Sequence, residues 1–376
     1  MVTLSSALSP QPHISGRRSR YAFIDQYRGL ACVLMFEAHA YDRWTMPADR
    51  AGFWWSLTRH LAGFPSRLFL LLAGVALVLR LEGQRKKGIE DGVAARANTL
   101  RGVEIIGLAL AFRLSCWFLG GAHPQLWHNL LRVDILNCIG VSLTLCALFL
   151  RPRHAQARGV FGGLILVATL MVWVTPLVER WGAASGLSGN ALFWYLTGRR
   201  PNSFFPLFPW FGYVLAGCSL GIYLVRAMAH DRLRHAVFRA SLLGAMLIVA
   251  GLTLSPFVER IPVFLTQDPG MSAPTSFLYR TGMCLVFAGV FYLMSEQVGW
   301  RSSMLGLFGQ TSLFVYWVHV ELVYGHASTP VHRKLSFAEG SWLLLALTLL
   351  MWALAAAKTH YAAKWRAKKS QVTATA

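Results

Sequence analysis

The segment MFEAHAYDRW (35–44) places Glu37, His39, Asp42 and Arg43 at the end of an apolar run. Charged groups are costly in such a place unless they are paired or serve a function. An imidazole that is hydrogen-bonded to a carboxylate through one ring nitrogen can act as a general base through the other. The segment therefore predicts proton-transfer chemistry at His39. The alternative is that these side chains only anchor the end of a helix.

Helical geometry decides which carboxylate can reach His39. At about 100° per residue, one face of the predicted helix carries Asp25, Arg28, Cys32, Met35, His39 and Asp42. Asp42 lies three residues after His39 on this face, so we expect it to be the local partner of the imidazole. Glu37 points nearly the opposite way, and we keep it as a further catalytic candidate.

Two later apolar segments carry polar side chains of the same kind. SLFVYWVHVELVYGH (312–326) contains Tyr316 and His319 on one helical face, with His319 predicted near the middle of the membrane. We expect His319 to be catalytic and Tyr316 to contact the acceptor. HNLLRVDILNCIG (128–140) adds three candidates for substrate binding, namely Arg132, Asp134 and Asn137. A purely structural pairing of Arg132 and Asp134 remains the alternative.

The composition indicates that membrane helices hold these residues. Of 376 residues, 55% are apolar and only 14% are charged, which leaves too little polar surface for a soluble domain of this size. Apolar runs of membrane-spanning length recur throughout the chain. We predict an all-α, polytopic integral membrane helix bundle. Its ten or so spans lie at about 23–41, 62–80, 102–120, 130–150, 159–176, 206–226, 240–257, 277–295, 311–326 and 340–360.

Basic residues set the predicted orientation. Counted with the adjoining edges of the spans, the N-terminal segment, alternate connections and the C-terminal segment hold 22 Lys and Arg residues, and the other connections hold 13. The positive-inside rule then places both termini in the cytoplasm. We expect a cytoplasmic tail at 1–20, a transmembrane domain at 21–361 and a basic cytoplasmic tail at 362–376. The net charge of +20 is divided among short clusters, which is not the pattern of a nucleic-acid-binding surface.

The connections predicted to face outward are rich in Trp, Pro and Gly. In WTMPADRAGFWW (44–55), we expect Trp44 to contact the acceptor, although an interfacial aromatic belt explains such a segment equally well. The six cysteines lie inside apolar segments and form no CxxC pair. Neither disulfides nor a metal site is indicated.

Five segments together resemble the transmembrane acyltransferases related to heparan-alpha-glucosaminide N-acetyltransferase, in its catalytic domain and bacterial relatives. They are IDQYRGLACVLMFEAHAYDRWT (24–45), FPSRLFLLLAGVAL (64–77), RVDILNCIGVSL (132–143), FPWFGYVLAG (208–217) and FGQTSLFVYWVH (308–319). Asp25, Arg28 and Gly29 match the D-x-x-R-G that opens the family pattern. The histidine that the lysosomal enzyme uses in the following loop aligns near Arg50–Ala51, where this chain has no histidine. His39 falls where that enzyme has an asparagine, so the two sequences place their histidines differently.

The resemblance implies that acetyl-CoA donates an acetyl group on the cytoplasmic side to an amine or hydroxyl of a sugar or glycan at the outer face. We expect His39, oriented by Asp42, to deprotonate the acceptor or to take the acyl group transiently. Asp25, Arg28, Arg85 and Lys86 are the candidates for holding CoA. The expected location is the bacterial inner membrane. A homo-oligomer is an open alternative, as is a carrier or channel that uses the same polar stripe without covalent chemistry.

Overall fold

The computed structural model describes residues 22–119, 129–152, 157–198, 202–266 and 268–374, so the predicted tail at 1–20 lies outside the described residues. The described part is almost entirely helical. Its α-helices are Ala22–Trp44 (α1), Gly52–Ala62 (α2), Phe64–Lys86 (α3), Asp91–Leu119 (α4), Ile135–Phe149 (α5), Arg158–Ala184 (α6), Leu207–Ala229 (α7), Leu233–Val258 (α8), Pro269–Ser272 (α9), Pro274–Tyr292 (α10), Ser303–Gln310 (α11), Ser312–Tyr324 (α12) and Phe337–Ala374 (α13).

A helix occupies each of the ten predicted spans, and the all-α membrane class is confirmed. By length and composition, the described residues contain seven helices that could cross a membrane. The spans assigned to α5 and α12 are shorter, at 15 and 13 residues. Helix α1 has the necessary length, but Asp25, Arg28, Glu37, Asp42 and Arg43 make it too polar for that criterion. Apolar side chains on the outside of α6, α8 and α13, such as Leu166, Leu242 and Leu349, face the surroundings, as lipid contact requires.

Helix α1 is the centre of the bundle. It packs against α2, α3, α10, α11, α12 and α13, so its polar face is enclosed by other helices. Cys32, Met35 and Phe36 are buried in a core that α1 shares with α12 and α13. A second core joins α3, α5, α6 and α7 around Tyr213 and Ile222. The bundle thus holds α1 in one rotation, which fixes where its ionisable side chains point.

Glycines allow the closest helix contacts. A Cβ on Gly29 would overlap the carbonyl of Leu305, and one on Gly309 would overlap the carbonyl of Asp25. Helices α1 and α11 therefore touch through their backbones at the D-x-x-R-G segment. The same reciprocal contact joins Gly74 of α3 to Gly217 of α7, which agrees with the close packing predicted for FPWFGYVLAG.

Gly217→Ala is expected to lower the midpoint of thermal unfolding in detergent. The added methyl group would overlap the carbonyl of Leu71, and separating α3 from α7 costs about 1–3 kcal/mol. Gly83→Ala in α3 is the matched control, because a Cβ there meets open space. That variant should be neutral or more stable, since alanine favours a helix over glycine. Equal midpoints for the two variants would contradict the proposed backbone contact.

Candidate active site

Two histidines from helices that are far apart in sequence meet in the bundle. His39 Nδ1 lies 2.9 Å from His319 Nε2. The two rings are nearly parallel, with an interplanar angle of 5° and centroids 5.1 Å apart. His319 is fully buried, whereas His39 remains partly exposed. The pair therefore consists of a fully buried histidine on α12 and a partly exposed histidine on α1.

The backbone fixes the tautomers of this pair when both rings are neutral. His319 Nδ1 lies 2.7 Å from the carbonyl oxygen of Val315, which can only accept a hydrogen bond. His319 therefore carries its proton on Nδ1, and its Nε2 is an acceptor. The proton between the rings must then belong to His39 Nδ1. This leaves a lone pair on His39 Nε2, the nitrogen that a base or nucleophile needs.

Asp42 does not bind His39 in the way expected from their spacing. The Asp42 carboxylate accepts a hydrogen bond from Tyr324 Oη at 3.3 Å and lies 3.9 Å from Arg59 Nη1. Arg50 donates to the Asp42 carbonyl at 2.7 Å. Asp42 is exposed in the last turn of α1, where these groups reach it, and His319 of α12 already occupies Nδ1 of His39. The imidazole is therefore oriented by another helix.

Glu37 lies on a different face of α1, as its spacing predicts. Both of its carboxylate oxygens are buried without a hydrogen-bond partner among the described residues. Among the described residues, no hydrogen bond joins Glu37 to the imidazole of His39, whose partner is His319. The structure thus separates Glu37 from the histidine pair, and its catalytic role stays a prediction.

A second polar group lies between α4 and the start of α5. Asp134 caps α5, accepting bonds from the backbone nitrogens of Leu136 and Asn137 at 3.0 and 3.3 Å. Its other oxygen lies 3.0 Å from Arg113 Nε of α4. Arg132 instead donates to Asn129 at 2.8 Å and stacks over Phe204. The partner of Asp134 is thus Arg113, not Arg132.

Two further side chains extend this polar group. Asn137 donates to the hydroxyl of Tyr195 at 3.0 Å. Tyr195 lies in the connection between α6 and α7, where burial raises the pKa of its phenol. Its hydroxyl is therefore protonated at neutral pH and can pass a hydrogen bond onward.

Tyr316 connects the histidine pair to this polar group. Its ring centroid is 5.9 Å from that of His319 and 5.3 Å from that of Phe112 in α4, next to Arg113. One turn further along α12, Glu321 accepts hydrogen bonds from Ser115 and Cys116 of α4. Helices α1, α4, α5 and α12 therefore present one continuous set of polar side chains.

The last residues of α1 and the segment after it pack against the loop between α12 and α13. Trp44 is buried, and its indole nitrogen donates to Ser328. The chain then pairs with a later loop through a bridge between Thr45 and Leu335. Arg43 Nη1 lies 2.9 Å from His332 Nε2. Burial, and then the positive charge of Arg43, lower the pKa of His332, so its neutral ring can accept this bond.

The candidates for CoA binding lie at the other end of α1 or at the end of α3. Asp25 is buried, and Arg28 lies 4.0 Å from it. A cleft of about 470 Å³ opens beside them between α1 and α11. It is lined by Ala22, Asp25, Gln26, Arg301, Ser302, Ser303, Gly306, Leu307 and Gln310. Arg85 and Lys86 do not line this cleft and instead pair with Glu82.

Two polar residues were underestimated from the sequence. Arg113 looks like a side chain that can extend to the membrane surface, and only the fold shows that Asp134 is its partner. Glu321 follows His319 by two residues, so it points away from that ring and toward α4. A charged residue inside each apolar run was the available signal in both cases.

Asp134→Ala should destabilise the protein more than Asp134→Asn. The alanine removes both the helix cap, worth about 1 kcal/mol, and the partner of the partly buried Arg113. The asparagine keeps a capping oxygen and loses only the charge. Glu104→Gln is the control, since it breaks an exposed pair with Arg101 that is worth at most about 1 kcal/mol. Thermal unfolding in detergent measures the order, and equal losses for alanine and asparagine would rule out the capping role.

Comparison with known proteins agrees with the resemblance found in the sequence. A family model described as heparan-alpha-glucosaminide N-acetyltransferase, catalytic, matches residues 20–258. The match runs from α1 to the end of α8, and so includes His39 and the Arg113–Asp134 pair, whereas His319 lies beyond it. No curated protein matches the chain. Because the matched residues are more than half of the sequence, the chain belongs to the heparan-alpha-glucosaminide N-acetyltransferase catalytic-domain family.

Proposed function

We propose that this protein is a membrane acetyltransferase that moves an acetyl group from acetyl-CoA to an amine or hydroxyl of a sugar or glycan on the opposite side of the membrane. The observation that carries the proposal is the hydrogen bond between His39 Nδ1 and His319 Nε2. It leaves His39 Nε2 unprotonated in a partly exposed position. The family match supports the reaction class.

The chemistry at His39 can follow two routes. As a general base, Nε2 takes the proton of the acceptor while the acceptor attacks the thioester carbonyl and the C–S bond breaks. As a nucleophile, Nε2 itself attacks that carbonyl and CoA leaves as its thiolate. The acceptor then takes the acetyl group from the imidazole, and the proton that the acceptor loses converts the thiolate to the free thiol. In both routes His39 gains positive charge. His319 Nε2 stabilises that charge by accepting the hydrogen bond from His39 Nδ1–H, so His319 is a positioning residue.

Acetyl-CoA would bind at the start of α1. The cleft there contains the N-terminal end of α11, which favours anions, and the cation of Arg301. Arg28 is the other basic group next to the cleft-lining Asp25. Residues 25 and 39 are separated by about 21 Å along a regular helix. The nucleotide would therefore lie at one end of α1 and the acetyl group near the other. Arg85 and Lys86 are proposed only as auxiliary contacts of the nucleotide.

The acceptor would lie on the α4–α5–α12 side of the histidine pair. Tyr316, Asp134 and Asn137 supply hydrogen-bonding groups there, and Arg132 and Trp44 are further candidates at its margin. Planar polar side chains together with aromatic rings are well suited to binding sugar hydroxyls. The proposed orientation has ten spans and both termini in the cytoplasm of a bacterial cell, with the protein in its inner membrane. The acceptor site then faces outward.

His39→Ala is expected to lower acetyl transfer by about 100-fold or more, because a positioned base or nucleophile contributes at least that much. The measurement is release of free thiol from acetyl-CoA by protein reconstituted in vesicles, with glucosamine as acceptor.

His319→Gln should lower kcat with little change in the KM for acetyl-CoA. His235→Gln, an exposed substitution at the start of α8, is the matched control and should match the wild type. Wild-type rates in His39→Ala would overturn the proposal, and solute movement without thiol release would favour the carrier.

The tautomers provide a test that needs no substrate. Nitrogen NMR of protein carrying ¹⁵N-labelled histidine should show a protonated Nδ1 and a bare Nε2 for both His39 and His319 at neutral pH. Free histidine prefers the opposite tautomer, so the two signals will differ from those of exposed histidines such as His235. His39→Gln and His319→Gln assign them. A protonated Nε2 on neutral His39 would contradict the hydrogen-bond chain that starts at Val315.

A further inference from the structure

Two arginines outside the histidine site meet at Gly63, the residue between α2 and α3. Arg67 of α3 donates through Nη1 to the Gly63 carbonyl. Arg280 of α10 donates to the His60 carbonyl at 2.9 Å, and its guanidinium fills the space that a Cβ on Gly63 would need. Arg67 is only 2% exposed, and Arg280 is partly buried. We call these two residues the arginine pair.

Every partner of the arginine pair in the described chain is uncharged. Besides Gly63, Arg67 contacts the Gly270 carbonyl at 3.1 Å, Met271 Sδ at 3.5 Å and the ring of Trp210 at 4.8 Å. The phenol of Tyr213 also lies beside Arg67, and Arg280 lies 5.6 Å from the ring of Tyr279. The Nε atoms of both arginines are buried without a hydrogen-bond partner. Among the residues described, no carboxylate forms an ion pair with either guanidinium. The pair thus has buried, unsatisfied Nε donors and no carboxylate partner among the residues that the structure describes.

Helix α2 offsets only a small part of this charge. His60 and Gly63 belong to its C-terminal end, where the helix dipole is equivalent to roughly half a negative charge. Two guanidinium groups carry two positive charges, because arginine stays protonated in proteins. Like charges buried together without an anion destabilise a fold, because neither the solvent nor a partner compensates them. A stable fold at this position therefore calls for an anion from outside the chain.

We infer that the arginine pair binds a tetrahedral oxyanion of the phosphate type, carried by a lipid headgroup or by a soluble molecule. Guanidinium forks match the oxygen spacing of such a group. The adjoining helix α2 presents Phe53 and Trp54 to the surroundings, at 70% and 64% exposure, as helices at a membrane interface do. An interfacial position of α2 would bring lipid phosphates within reach of the arginine pair. The inference does not depend on the proposed acetyltransferase activity.

Replacement of Met271 tests the missing counter-charge directly. Its sulfur already contacts Arg67, so Met271→Glu places a carboxylate beside the arginine pair. Met271→Gln is the matched neutral control. The glutamate variant should unfold at a temperature about 3 °C or more above that of the glutamine variant in anion-free detergent. A glutamate variant no more stable than the glutamine variant would contradict an uncompensated charge.

Ligand addition identifies the source of the anion. Two ligands are added separately to delipidated wild-type protein, namely inorganic phosphate and phosphatidylglycerol micelles. At least one of them should raise the unfolding temperature, with chloride at equal ionic strength as the reference for phosphate. A response to phosphate assigns a soluble anion, and a response to the lipid alone assigns a headgroup. Both responses should disappear in Arg280→Gln and Met271→Glu but persist in Met271→Gln. Wild-type protein that responds to neither ligand, or equal responses in Arg280→Gln, would overturn the inference.

Discussion

The hydrogen bond between His39 and His319 is the interaction on which the candidate site depends. It joins α1 to α12 across 280 positions of sequence, and it selects the nitrogen of His39 that keeps its lone pair. An imidazole in an apolar bundle is useful only if one nitrogen is held and the other is left free. Here the holding group is a second histidine, whose own proton is fixed by the Val315 carbonyl. A main-chain oxygen of α12 thus determines which ring nitrogen of a side chain on α1 carries the proton.

The D-x-x-R-G segment has a physical explanation in this arrangement. Gly29 permits α1 and α11 to touch through their backbones, and Gln26 bonds the loop before α11 through the backbone nitrogen of Ser302 at 2.8 Å. The start of α1 therefore positions α11, and the N-terminal end of α11 borders the cleft. The motif shapes the cleft mainly through packing, and its polar residues line or adjoin the resulting space.

Local pattern predicted where most helices lie, but only part of how the side chains of the candidate site are arranged. Hydropathy located a helix at every predicted span, because helices of a membrane bundle are largely apolar whether they face lipid or other helices. The 3.6-residue period correctly set His39 apart from Glu37. The period could not show that His319 is the partner of His39, because that contact depends on how α12 packs against α1. In the same way, Asp134 stands before an apolar run as helix caps do, yet its bond to Arg113 requires the tertiary arrangement of α4 and α5.

Helix α12 is short, and this has a consequence for the membrane around it. Its 13 residues rise about 20 Å, whereas the hydrocarbon layer of a bilayer is about 30 Å thick. Thr311 interrupts the helix, so that α11 and α12 are separate segments. Neither of them alone is long enough to span the hydrocarbon layer. Lipids beside α12 must thin, or protein must replace them. The two imidazoles are consequently held by a helix that is shorter than the hydrocarbon layer is thick.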